Sequence, residues 1–126
     1  YAGSESCVSC HQEIYDHYKT TRHANALATL EKDGHDRDPD CVSCHVTGLG
    51  AISGYWDRKS SPKMANVGCE SCHGPSRDHA RDPNILPGTP LVLKGKPEPK
   101  RTQPLESCVQ CHTPNTSPNF HELSFW

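Results

Sequence analysis

Large apolar side chains are scarce in this chain: two Phe, one Met, and apolar residues at 33% of 126, against a usual level of about 45–50%. So little apolar bulk cannot build a large core of side chains, which argues against an ordinary aliphatic-cored enzyme. No run approaches the ~18 apolar residues of a membrane span. Positive charge is not in surplus either, with 13 Lys and Arg against 15 Asp and Glu and a formal net charge of −2. Without a basic stripe to attract phosphates, nucleic acid is not an expected partner. Ser-His-Asp, Walker and Rossmann patterns are missing, which removes the common enzyme readings. The chain opens Tyr1-Ala2-Gly3-Ser4, with neither Met nor a signal pattern, as expected of a removed leader or a trimmed start.

What is abundant is unusual. Nine Gly and 11 Pro consign much of the chain to loops and turns, and eight Cys stand beside nine His. Disulfides, metals or covalent cofactors must supply the cohesion that apolar burial does not.

The cysteines fall in four pairs, each pair spaced by two residues and followed at once by His. They are Cys7-Val8-Ser9-Cys10-His11, Cys41-Val42-Ser43-Cys44-His45, Cys69-Glu70-Ser71-Cys72-His73 and Cys108-Val109-Gln110-Cys111-His112. This C-x-x-C-H pattern is that of c-type haem attachment. Two thiols add to the two vinyl groups of one porphyrin, and the two-residue spacer sets the sulfurs at that span. The next residue then lies beneath the ring, where its imidazole binds the iron. Four disulfides or two four-cysteine zinc sites would use the same thiols but would leave the histidines unexplained. With nine His in 126 residues, a His follows a given position about 7% of the time, so four of four by chance is on the order of a few in 100,000. The expected cofactors are therefore four haem c groups with their iron, held by Cys7, Cys10, Cys41, Cys44, Cys69, Cys72, Cys108 and Cys111, with His11, His45, His73 and His112 as proximal ligands.

The first cysteines of successive motifs are 34, 28 and 39 residues apart and the flanks do not repeat, so the chain is not a solenoid. One domain over residues 1–126 is expected, mainly α with extensive irregular loops, wrapped around four stacked haems that replace the missing core. A first helix over 5–18 would align His11, Ile14, Tyr15 and Tyr18. A second over 22–33 would be capped by Thr20 or Thr21, stopped by Gly34, and would place His23, Leu27 and Leu30 on one face. Short helices would carry the other motifs, the third ended by Gly74-Pro75. Six prolines between Pro83 and Pro104 mark an extended connection, and Ser117-Pro118 a turn. No sheet is expected.

Five histidines remain as sixth ligands: His17, His23, His35, His79 and His121. His23 shares the apolar face of its helix. His79 follows motif three in a polar run where it has little apolar surface to join. His35 stands in a polar loop before motif two, and His121 lies near the chain end. His17 lies about 600° around a helix from His11, off the haem-facing side. Two imidazoles would make the iron six-coordinate and suited to electron transfer, whereas an open position would bind small molecules. Met64 could ligate at most one haem and otherwise packs.

Residues 7–30, with the Tyr-rich helix and Thr21-Arg22-His23-Ala24, resemble the opening of the tetrahaem cytochrome c-554 family. So do residues 41–50 with Gly54-Tyr55, and above all Val67-Gly68-Cys69-Glu70-Ser71-Cys72-His73-Gly74-Pro75. The likeness covers residues 5–80 well and motif four more loosely. It implies a largely helical multihaem cytochrome with haems in near-parallel and near-perpendicular pairs. It also implies that His23 serves haem 3 and His79 serves haem 1. Haem 2 in that family pattern is five-coordinate, and His35 is this chain's departure from it. His121 is the downstream candidate for haem 4, with a partner subunit or residues outside this chain as the other sources.

The expected function is electron transfer to redox partner proteins, with the resemblance pointing to a partner such as a hydroxylamine-oxidising enzyme. The alternatives are a nitrogen oxide reductase at an open haem 2, or a homo-oligomer or filament joined through haem–haem contacts. Haem c is attached after export, so a periplasmic or extracellular location is expected.

Overall fold

The computed structural model describes residues 1–88 and 106–120. Contacts divide the chain into two compact units, Tyr1–Pro90 and Leu91–Trp126. In the first, a 3-10 turn over Ser4–Cys7 leads into α1, Val8–Lys19. A second 3-10 turn, His23–Asn25, leads into α2, Ala26–Asp33. Then come α3 (Pro39–Val42), a 3-10 turn at Pro62–Met64, α4 (Cys69–His73) and α5 (Arg77–Arg81). The second unit contributes α6, Glu106–Val109. Among the described residues there is no strand, only an isolated antiparallel bridge between Val46 and Ala65. Nor, among them, is any helix long and apolar enough to cross a membrane.

The expected short helices are present and the expected long ones are broken. At His11 the backbone leaves the helical region (φ −125°, ψ 41°), so the attachment turn and the rest of α1 follow different axes. Angular reckoning from His11 to Ile14, Tyr18 or His17 therefore does not carry across, and Ile14 is 65% exposed. The second helix is interrupted at Asn25 (φ −127°, ψ 19°), so His23 stands on a separate turn from Leu27 and Leu30. Thr20 and Thr21 do not cap it. Their hydroxyls donate back to the carbonyls of His17 and Tyr18, both at 2.7 Å, the local bonding to which short hydroxyl side chains are prone.

Gly34 does end α2, in the left-handed region at φ 75°. The His35 N–H reaches back to the Leu30 carbonyl at 2.9 Å, which satisfies an orphan acceptor of the last turn. Gly74 likewise ends α4 at φ 71°, just before Pro75. The expected turn at Ser117-Pro118 is present, closed by the Phe120 N–H on the Ser117 carbonyl at 2.9 Å. Most of the proline-rich connection, residues 89–105, lies outside the described residues, as does His121.

The core is small: Leu27, Val42, Val46, Tyr55 and Met64, with Tyr1, Leu30 and Ala65 packed against it. A polar hub adjoins it. Thr47, 2% exposed, donates its one hydroxyl hydrogen to the Asn66 carbonyl at 2.9 Å and accepts from the Gly68 N–H at 2.9 Å. The Ser71 hydroxyl, 3.1 Å away, must then be the donor to Thr47, because that hydrogen is already committed. Asn66 in turn accepts the Leu27 N–H on Oδ1 at 3.0 Å. The stretch after motif two is thereby joined both to α2 and to the entry of α4.

Candidate haem attachment site

None of the eight cysteines is joined in a disulfide. Motifs one and three lie side by side. The Cys69 N–H bonds the Ser4 hydroxyl at 3.0 Å. Burial, followed by the neighbouring Cys69 and then Glu70, pushes the Cys7 thiol up to about 11. Their histidines are neighbours too: burial and then the charge of His11 hold His73 below the usual imidazole range.

His79, delivered by α5, comes to motif one. The His11 and His79 ring centroids are 6.4 Å apart with planes inclined at 27°. Two metal–nitrogen bonds of about 2 Å and two half-rings in line would span roughly 6 Å, a distance close to the spacing of this pair. His79 Nδ1 lies 2.6 Å from the Ile85 carbonyl. A carbonyl only accepts, so Nδ1 carries the hydrogen and Nε2 keeps its lone pair, as a metal ligand requires. His45 is set in the same way, its Nδ1 2.7 Å from the Ala26 carbonyl at the start of α2. In motif four, His112 Nδ1 is 2.9 Å from the Ser117 hydroxyl, and its ring stacks on Phe120 at 4.2 Å.

The other sequence candidates divide. The His23 carbonyl accepts the Val67 N–H at 3.1 Å, which brings its turn beside the approach to motif three. His35 lies near motif two, where ligand-type atoms of His35, Asp38 and Cys41 are within 4.8 Å of one another. Asp38 there caps α3 through the Asp40 N–H at 3.0 Å. Met64 is buried in the apolar cluster, as a packing residue. His17 is exposed on α1.

One residue escaped sequence reasoning. Glu70, inside motif three, is only 3% exposed. Its carboxylate accepts the N–H groups of Ala2 (2.9 and 3.0 Å), Gly3 (2.7 Å) and Ser76 (2.8 Å). The available signal was its position, which is Val8, Val42 and Val109 in the other three motifs.

Residues 6–74, carrying the first three motifs, match the family described as cytochrome c554 and c-prime. The chain belongs to this family. It is 33% identical over 135 residues to cytochrome c-554 of Nitrosomonas europaea, an alignment covering 89% of this chain and 57% of that relative. It thus spans a little over half of that relative's length. No solved structure matches the chain. A c-554-family cytochrome takes haem c, and the donor set here suits it: paired cysteines outside any disulfide, each pair followed by a histidine, with two imidazoles, His45 and His79, fixed through Nδ1.

Proposed function

We propose that residues 1–126 form one domain that binds four haem c groups and transfers electrons to and from redox partner proteins. The spacing of the His11 and His79 rings, 6.4 Å, is the observation that carries this reading. It is close to the span that two imidazoles on one iron would need, and an iron held by both would serve electron transfer rather than substrate binding.

The chemistry supplied by bound haem is a reversible one-electron iron couple. The chain's own residues do the rest. Cys7 and Cys10, Cys41 and Cys44, Cys69 and Cys72, and Cys108 and Cys111 each fix one ring edge. His11, His45, His73 and His112 are the proximal ligands. His79 closes haem 1, and the Ile85 carbonyl holds its imidazole in orientation. His23 serves haem 3, favoured by the link between its carbonyl and Val67. His35 serves haem 2 and His121 haem 4. The ligands of haems 1 and 3 are crossed between distant segments, so ligation itself closes the fold.

Thioether attachment takes place outside the cytoplasm, so the mature protein works in the periplasm or at the cell surface. The reading is tested by intact mass and pyridine haemochrome on exported protein, followed by carbon monoxide addition to the reduced form. Four haems and an unchanged reduced spectrum are expected. Fewer than four would overturn the tetrahaem reading, and a carbon monoxide shift at one haem would favour a substrate-binding site instead.

A further inference from the structure

Glu70 is a buried carboxylate. It is 3% exposed, and among the described residues no Lys or Arg lies within ion-pair distance of it. Burying such a charge is costly unless hydrogen bonds replace the lost water. Here three backbone N–H groups do so, from Ala2, Gly3 and Ser76. All three groups only donate. A protonated carboxyl would turn one oxygen into a donor facing donors, so the arrangement matches the ionised form.

Its place in the chain gives the charge a consequence. Glu70 lies between Cys69 and Cys72, the two attachment points of one porphyrin, where the other motifs carry Val8, Val42 and Val109. Adding one electron at an iron lowers the charge there by one unit, and a fixed negative charge nearby opposes that addition.

Resting on the tetrahaem reading, we propose that Glu70 is a positioning residue that sets the potential of the motif-three haem. Its buried carboxylate makes that haem harder to reduce, and its hydrogen bonds to Ala2, Gly3 and Ser76 fasten the flanking segments to the motif. At an effective dielectric of about 20, a unit charge about 10 Å away changes a one-electron equilibrium roughly tenfold. Tenfold corresponds to about 59 mV for one electron.

The experiment is a spectroelectrochemical titration of the holoprotein, with dithionite as reductant and ferricyanide as oxidant. It compares wild type, Glu70→Gln and Glu70→Asp. The Gln variant keeps size and loses charge, while the Asp variant keeps charge and shortens the reach. Glu70→Gln is expected to make one haem roughly tenfold easier to reduce, with Glu70→Asp close to wild type. Equal shifts in both variants would show a structural role and overturn the proposal, as would no shift in Glu70→Gln with all haems present. If only the Gln variant loses its motif-three haem, the charge acts on attachment rather than on the potential, and the proposal is overturned. Loss of that haem in both overturns it in favour of a folding requirement. Peptide mass spectrometry of the Cys69 to Cys72 segment in wild type separates these outcomes from failure of the haem reading itself, which would show there as unmodified thiols.

Discussion

The rings of His11 and His79, 68 residues apart in sequence, lie with their centroids 6.4 Å apart. One is anchored in an attachment motif, and the other is held by the Ile85 carbonyl at 2.6 Å. His79→Ala should therefore open the sixth position of one haem and leave its thioether attachment intact. The expected result is unchanged haem content, a high-spin signal from one haem, and a carbon monoxide shift absent from wild type. His17→Ala, at an exposed site on α1, should show none of these. Electron paramagnetic resonance and reduced difference spectra check both.

Asn66 combines two demands. It is the one non-glycine described residue with positive φ, at 75°, and its side chain accepts the Leu27 N–H at 3.0 Å. Asn66→Gly relieves the backbone but loses the bond, for a cost of about 1 kcal/mol. Asn66→Ala loses the bond and adds left-handed strain of about 1–2 kcal/mol. Urea denaturation should rank wild type above Gly and Gly above Ala, and Ala equal to or better than Gly would refute the dual role.

Attachment was legible because it is contiguous: thiol, spacer, thiol and imidazole lie within five residues, and no tertiary information is needed to recognise them. Gly34 and Gly74-Pro75 were readable for the same reason, since a helix stop is a local event. The breaks at His11 and Asn25 were not. Apolar periodicity runs through both positions, and only the backbone dihedrals reveal that each helix is two pieces. Glu70 was hidden for a different reason. Its burial depends on Ala2 and Gly3, 68 and 67 residues away, and a carboxylate inside a short attachment motif looks solvated until those N–H groups are placed beside it. His79 was legible as a candidate from its polar surroundings and the family pattern, but its pairing with His11 required the fold.

Gly54 approaches the backbone of Gly48 so closely that an added Cβ would lie 1.8 Å from the Gly48 carbonyl oxygen. That oxygen cannot swing aside as a flexible side chain would. Gly54→Ala must displace the loop that carries Tyr55 into the core, and the expected result is loss of cooperative unfolding or of soluble protein. Gly34→Ala is the control. Nothing lies within 4 Å of its added Cβ, so only its positive φ is penalised, by about 1–2 kcal/mol. Similar thermal midpoints for the two variants would contradict the close approach.

Asp57 organises the turn that leads to Met64. Its Oδ1 accepts the N–H groups of Lys59 at 2.8 Å and Ser60 at 2.9 Å, and Oδ2 accepts the Ser60 hydroxyl. The Ser60 side chain first, then the backbone N–H groups of Ser60 and Lys59, hold its carboxyl below the ordinary value of 3.8. A carboxyl with a lowered pKa in the folded state binds fewer protons there than in the unfolded chain. Its stabilising contribution is therefore complete well above pH 3.8 and is lost as the pH falls through the lower folded value. Wild type should be more stable than Asp57→Asn at neutral pH, with the gap closing in that acid window. Because the turn passes through Ser61, whose carbonyl accepts the Met64 N–H at 3.0 Å, amide exchange at Met64 should accelerate over the same range. Denaturation series of both proteins against pH, with the Asp57 carboxyl followed by NMR, provide the check. A gap that persists unchanged below the measured folded pKa would show that the turn is held by something other than the ionised side chain.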